Sequence, residues 1–210
     1  MSMRFKTERL IGREHSESDL KDLHLLLSDD ISMRYLPEIQ CRSLEESTRN
    51  LCHAIGESKS VDRRDYFYAV ELLNGEYIGE IGITTLAVCE DGRMGNLGYF
   101  LRRHSHGNGY ATEATIGMLR HTFYDLDFVK IESGCLAENL ASERVLIKAG
   151  LRKESGIVKH VVHERLLKER VEYAITRTEW QNSSSGKKTF HQQMNECVQA
   201  KEKFLEEYLG

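Results

Sequence analysis

Hydrophobic and polar positions change their period along this chain. Leu20, Leu23, Leu26 and Leu27 recur at helical spacing, and Ser18 reads as the N-cap of the helix that carries them. Before it, Arg9 to Glu14 reads as a short strand. A second helix starts at Ser43, with Glu46 three residues on completing a capping box, and runs to about Ser58. The pattern then turns aromatic and β-branched. Tyr66 to Leu72 predicts a strand, Asn74-Gly75 a type I′ hairpin turn, and Tyr77 to Leu86 the returning strand. A polar turn, Glu90 to Arg93, leads to a third strand over Leu97 to Leu101, which makes an antiparallel meander. A glycine-rich turn and a helix to about Phe123 follow. Val129 to Leu136 reads as a strand, and Asn139 to Ala149 as a helix ended by Gly150 at C′. Two more strands fit Leu151 to Val158 and Arg170 to Thr178. The order is mixed α/β: helices first, a meander, then β-α-β-α-β-β.

From Gln181 the character changes. Asn-Ser-Ser-Ser-Gly has the composition of a flexible linker. Lys187 to Leu209 then puts Phe190, Met194, Cys197, Val198, Phe204, Leu205 and Tyr208 near one helical face. The expected organisation is one domain over 1–180 and a linker with an amphipathic helix over 181–210. The apolar stripe of that helix must pack on its own domain or on a second subunit, so a homodimer is one expected state.

Composition narrows the class. A chain of 210 residues favours a single domain with a sizeable core. No apolar run reaches the roughly 18 residues of a membrane helix, and MSMRFKTERL does not read as a signal peptide. The five cysteines, Cys41, Cys52, Cys89, Cys135 and Cys197, are scattered and odd in number, with no CxxC pair. That suggests neither zinc nor a disulfide framework, and fits reduced thiols in a cytoplasmic protein. A net charge of −4 argues against non-specific nucleic-acid binding, where basic excess supplies most of the affinity. It is compatible with a cationic substrate.

The candidate chemistry lies in the turn His104-Ser105-His106-Gly107-Asn108-Gly109-Tyr110-Ala111-Thr112-Glu113-Ala114, between a strand and a helix. Glycines at 107 and 109 allow unusual backbone angles and close approach. Successive N–H groups there make a concave anion site, reinforced by the positive end of the helix, and a diphosphate is its natural guest. Thr112 adds a hydroxyl donor. Thr112 also stands where a dinucleotide fingerprint wants its third glycine, and no Gly-Lys-Ser/Thr follows, so neither the Rossmann nor the Walker pattern fits. His104 and His106 lack the clustered partners of a metal site, and no metal is expected. In the second constellation, Ala137 to Leu151, Asn139 stands at a strand end as a helix N-cap and Ser142 projects near the same end.

Together these segments resemble the GNAT acetyltransferases, and within them the ribosomal-protein-alanine N-acetyltransferase (RimJ/RimL-type) branch. The likeness covers roughly residues 7 to 180. It runs through Thr7-Glu8-Arg9-Leu10 with Arg13, Met33-Arg34-Tyr35-Leu36-Pro37, Tyr77-Ile78-Gly79-Glu80-Ile81-Gly82, Gly98-Tyr99-Phe100-Leu101, Gly107 to Ala114, Asn139-Leu140-Ala141-Ser142, Tyr173 to Arg177 and Glu179-Trp180. The resemblance implies a GNAT fold, a mostly antiparallel mixed sheet flanked by helices. In it, the strand Leu97–Leu101 splays from the strand Val129–Leu136 to open a V-shaped cleft. It implies acetyl-CoA as the donor. Pantetheine would bond backbone near Phe100, Leu101 and Arg102. The diphosphate would sit on His104 to Thr112, with Gly107, Asn108, Gly109, Tyr110 and Ala111 between. Asn139 would contact pantetheine, and Ser142 would lie near the thioester sulfur. Two positions depart from the family pattern. His104 stands where the signature has Gln or Arg, so a weaker or pH-dependent phosphate contact is expected. Leu146 stands where many members carry a tyrosine, so the proton for the thiolate must come from Ser142 or water.

The expected reaction is direct attack of a primary amine on the thioester. Glu80, His160 and His163 are the candidates for the base. Neutralising a lysine-like amine at pH 7 costs roughly 4–5 kcal/mol, and an α-amino group only about 1. The lack of an obvious strong base leans towards an α-amino substrate. Protein N-termini, polyamines, aminoglycosides and metabolite amines are all open as acceptors. A non-catalytic acyl-CoA-binding or sensing module and a self-associating protein organised by the tail are the alternatives.

Overall fold

A computed structural model describes residues 3–154, 158–161, 167–183 and 186–187. The elements are β1 (Met3–Lys6), β2 (Leu10–Glu14), α1 (Leu20–Leu27), α2 (Leu44–Lys59), β3 (Asp65–Leu72), β4 (Tyr77–Cys89), β5 (Gly92–Leu101), α3 (Tyr110–Asp125), β6 (Phe128–Leu136), α4 (Leu140–Lys148), β7 (Arg152–Lys153), β8 (Val158–Val161), β9 (Leu167–Thr176) and α5 (Arg177–Asn182). The strands form one sheet in the order β1-β2-β3-β4-β5-β6-β9-β7, and β8 also pairs with β9. Every pairing is antiparallel except β5 with β6. This is the expected mixed α/β architecture.

Local chemistry explains most boundaries. Ser43 accepts from the Glu46 N–H at 3.2 Å, and the Glu46 carboxylate accepts from the Ser43 N–H at 3.1 Å, so α2 starts as expected. The first helix starts differently. A 3-10 turn over Glu17–Asp19 precedes α1, capped by Ser16, whose N–H donates to Asp19 Oδ2 at 2.8 Å, and Asp19, not Ser18, stands at the N-cap of α1. The hairpin after β3 also differs from expectation. Asn74 does not have a positive φ, whereas Gly75 has φ +86°. The Gly75 N–H donates to Leu72 O and the Leu72 N–H to Glu76 O. The loop is therefore three residues long, with glycine in the left-handed position, and not a type I′ turn. At the other end Thr176 and Glu179 form a capping box, so Arg177 and Thr178 belong to α5 and not to the last strand. That helix buries Trp180 completely.

Alternation in the strands gives the sheet two apolar faces. Tyr68, Val70, Ile81, Ile83, Leu97 and Leu101 pack with Met118, Leu119 and Phe123 of α3 and Leu146 of α4. On the other face Ala69 and Tyr77 pack with Leu23, Leu26, Leu27, Met33 and Leu51 from α1, α2 and their connection. Of the four leucines at helical spacing, those at 23, 26 and 27 are buried on α1, and Leu20 is half-buried. The expected C-terminal amphipathic helix lies outside the described residues apart from its first position, Lys187.

Candidate active site

The cleft arises because one pair of strands separates. β5 and β6 pair in parallel only from Arg93–Asn96 against Phe128–Glu132. Beyond that, Leu97–Leu101 stays on β4 and Ser133–Leu136 stays on β9. A split sheet leaves backbone groups without partners, which is costly unless something else satisfies them. At the fork, the buried Ser133 hydroxyl donates to Leu97 O at 2.8 Å. Further out, His106 Nε2 lies 2.8 Å from Leu101 O. The Arg102 N–H points the other way and donates to Ile78 O at 2.8 Å. Main-chain groups alternate along a strand. The open edge therefore carries the amides of Tyr99 and Leu101, while those of Phe100 and Arg102 serve β4. Of the three positions near which backbone contacts are expected, Leu101 turns its N–H to the open edge. The Arg102 side chain is also engaged elsewhere, 2.7 Å from Asp22 and stacked over Tyr77.

Past β5 the chain makes a 3-10 turn over Arg103–Ser105 and enters α3 through two glycines, Gly107 and Gly109, both at φ +79°. The amides of Ser105 and His106 are spent inside that turn. Those of residues 107 to 112 bond no other group among the described residues, and Gly107, Gly109, Tyr110, Ala111 and Thr112 line the cleft. Consecutive unpaired N–H groups at the positive end of a 16-residue helix make an anion site. The loop is strapped from the N-terminal segment. Arg9 Nη1 donates to Asn108 O at 3.1 Å, Arg9 Nε to Glu113 Oε2 at 2.6 Å, and its guanidinium stacks on Tyr110. Burial raises the Glu113 pKa, but Thr7 and Arg9 outweigh it and hold the carboxyl below its ordinary value. The Asn108 side chain folds back onto Ser105 O and His106 O. The His104 ring leaves the loop altogether and sits 3.0 Å from Glu76 Oε1 on the β3–β4 hairpin.

The opposite arm of the fork ends at α4. Asn139 Oδ1 accepts from the Ser142 N–H at 3.1 Å, the cap that the sequence predicts. Ser142 Oγ lies 2.8 Å from the hydroxyl of Tyr99, which also donates to Ser142 O at 3.2 Å. Tyr99 was not singled out by sequence reasoning. Its signal was the odd parity on β5, which points its ring at α3 and α4. Leu146 is fully buried in the core.

The opposite face of the strands also reaches the cleft. Phe67 of β3, Glu80, Gly82 and Thr84 of β4, and Asn96, Gly98 and Phe100 of β5 line it, joined by Arg34, Tyr35, Leu36, Glu38 and Ile39 from the α1–α2 connection. A Cβ on Gly98 would meet nothing within 4 Å, so that strand position is open floor. The cavity of about 980 Å³ thus reaches both faces of the sheet through the fork. Glu80 Oε2 lies 3.0 Å from Nε2 of His15, without the alignment of a hydrogen bond. Burial disfavours charge on His15, but contacts with Asp19 and Glu80 overcome it and lift its pKa to about 9. Asp19 is in turn held by Arg13 at 2.8 Å. Glu80 is therefore a buried carboxylate with a cation behind it and the cleft in front. The backbone of His160 lies in β8; its side chain and His163 lie outside the described residues.

A mixed sheet opened at one parallel junction, with an amide-lined helix start at its mouth, is a class of thioester-handling fold. The chain belongs to the acetyltransferase (GNAT) domain family, whose model matches residues 9–152. It is 26% identical over 166 residues to the uncharacterized N-acetyltransferase YoaA of Bacillus subtilis, covering 76% of this chain and 88% of that one. Among solved structures it resembles the spermidine N-acetyltransferase of Vibrio cholerae in complex with CoA and spermine, at 18% identity and TM-score 0.70, over 82% of this chain and 98% of that one. It also resembles Mycobacterium smegmatis RimJ in complex with CoA-disulfide, at 22% identity and TM-score 0.71, over 84% and 86%. Both likenesses concern the fold. No helix among the described residues is long and apolar enough to cross a membrane.

Proposed function

We propose that this chain is an acetyl-CoA-dependent N-acetyltransferase of the RimJ/RimL-like branch that acts on a primary amine in the cytoplasm. The observation that supports it most directly is the pairing of the open β5 edge with the unpartnered amides of residues 107 to 112. Those amides fit a diphosphate, with the hydroxyl of Thr112 beside them. The amides of Tyr99 and Leu101 fit the amide chain of pantetheine, and Asn139 stands across the fork. Acetyl-CoA supplies the activated acetyl group. Ser142 stands where it can donate a hydrogen bond to the sulfur.

The amine enters from the α1–α2 side, over Gly98 and beside Phe67. Glu80 receives its charge and, lining the cleft from β4, is the group that takes its proton. The wall offers Glu38 and Glu80 but also Arg34, with Arg144, Lys148 and Arg170 elsewhere in the cavity. That balance gives a polycation little long-range pull. It favours an α-amino group, which needs only about 1 kcal/mol to lose its proton at pH 7.

The test is thiol release from acetyl-CoA across a panel of amines, including alanine-starting peptides, spermidine, aminoglycosides and free amino acids. The expected result is release with the peptides. Thiol release with none of the panel, with acetyl-CoA still bound, would leave a binding module. Gly109→Val provides the second arm. A β-branched residue at φ +79° is strained, and its Cβ would stand 3.6 Å from Nη2 of Arg9, the side chain that straps the loop. Calorimetry is expected to show no acetyl-CoA binding, and unchanged affinity would refute the loop's role. The apolar stripe of the tail supports a homodimer, which light scattering with and without residues 182–210 checks.

A further inference from the structure

The contact that bridges the two arms of the fork carries an inference that rests on the acetyl-transfer reading above. Tyr99 on β5 and Ser142 on α4 touch twice. The phenol oxygen is 2.8 Å from Ser142 Oγ and 3.2 Å from Ser142 O. A carbonyl oxygen only accepts, so the tyrosine donates to Ser142 O, while between the two hydroxyls either oxygen can be the donor. An anion in the cavity would draw the serine O–H to itself, with the phenol then donating to Ser142 Oγ. The Ser142 N–H is tied to Asn139 Oδ1, so the first turn of α4 is fixed from both sides. Ser142 itself lines the cavity, with the Cys135 thiol as another polar group beside its hydroxyl.

The neighbours leave this role vacant and keep the phenol neutral. Leu146 is buried in the core, so α4 sends no tyrosine of its own from that position. Cys135 faces the pair from β6, and burial pushes its thiol above the ordinary value. Glu143 of α4 is engaged by the Tyr173 hydroxyl at 2.6 Å. Burial raises the Tyr99 phenol too, against the lowering effect of its bond to Ser142, so it remains a protonated donor.

We propose that Tyr99 is the positioning residue for the leaving group: its hydroxyl orients Ser142 so that the serine O–H donates to the departing thiolate. In this step the amine nitrogen bonds to the carbonyl carbon, the carbon–sulfur bond breaks, and its electron pair goes to sulfur. The amine proton passes to Glu80 or water. Tyr99 and Ser142 keep their protons, and sulfur takes one from water as CoA leaves. A polarised donor pair of this kind stabilises an anion more than one hydroxyl does.

The experiment needs no knowledge of the acceptor. Ultraviolet thiolate absorbance gives the titration of the CoA thiol in its complex with the protein, after subtraction of the complex with a CoA that lacks sulfur. In the unaltered protein the bound thiol is expected to ionise about one unit below free CoA, a tenfold change in its acid constant. Ser142→Ala should remove that shift. Tyr99→Phe, which keeps the ring and its packing, should remove most of it, and the double variant should match Ser142→Ala. A Tyr99→Phe complex that titrates like the unaltered one overturns the proposal, as does a further loss from Tyr99→Phe in the Ser142→Ala background. An unshifted thiol with CoA bound also overturns it while leaving the acetyl-transfer reading intact; failure of CoA to bind overturns both. With any amine that releases thiol, Tyr99→Phe is expected to lower kcat about tenfold with the KM for acetyl-CoA unchanged.

Discussion

At His104 the sequence position and the side-chain direction diverge. It stands where phosphate contact is expected, yet its ring pairs with Glu76 outside the cleft. His104→Ala is therefore expected to change acetyl-CoA affinity by less than about twofold in calorimetry, within the range of an exposed ion pair. His15 is the opposite case, a residue without any motif that is buried between two carboxylates. Its pKa rises to about 9 in the folded chain from 6.5, so it binds a proton more tightly folded than unfolded. The stability it contributes is complete below pH 6.5 and is lost as the pH climbs through about 9. Thermal melts from pH 7 to pH 10 should fall steadily, and His15→Gln should flatten that slope while lowering the melting point at pH 7. The effect is at most about 3 kcal/mol, because the same carboxylates are partly held by Arg13.

At the scale of elements the decisive feature is the fork between β5 and β6. Nothing in Leu97-Gly98-Tyr99-Phe100-Leu101 read alone says that the strand leaves its neighbour, because the alternation continues unbroken. The signs lie on the other strand and in the loop: Ser133 caps Leu97 O, and His106 caps Leu101 O. Ser133→Ala would leave the Leu97 carbonyl buried without a partner. It should cost roughly 1–3 kcal/mol in denaturant unfolding. An unchanged midpoint would mean that water replaces the hydroxyl. Helix caps were the most legible elements, since Ser43–Glu46 and Asn139 act on residues three positions away. The three-residue hairpin was misread because Asn-Gly is compatible with both turns, and the bonding of Leu72 to Glu76 selects between them. Two short elements, β1 and α5, escaped the pattern because four and six residues are too few to show a period.

At the scale of the whole molecule, the N-terminal segment holds the anion loop across nearly a hundred residues of sequence. Arg9 reaches Asn108 O, Glu113 and the Tyr110 ring together. Arg9→Ala should weaken acetyl-CoA binding several-fold while leaving the melting point nearly unchanged, because the arginine is about half exposed and its bonds order a loop more than they hold the core. A large drop in melting point without a change in affinity would assign Arg9 to the fold instead. The sequence by itself determined the order of the longer elements, the caps of α2 and α4, and the glycine turn with its orphan donors, because each rests on neighbours within a few residues. Only the tertiary structure decided which amides of β5 face the cleft, that Tyr99 meets Ser142, and that His15 stands behind Glu80. Those contacts join residues 43 to 65 positions apart. Their geometry follows from strand parity and from where the sheet divides, and no local pattern carries that information.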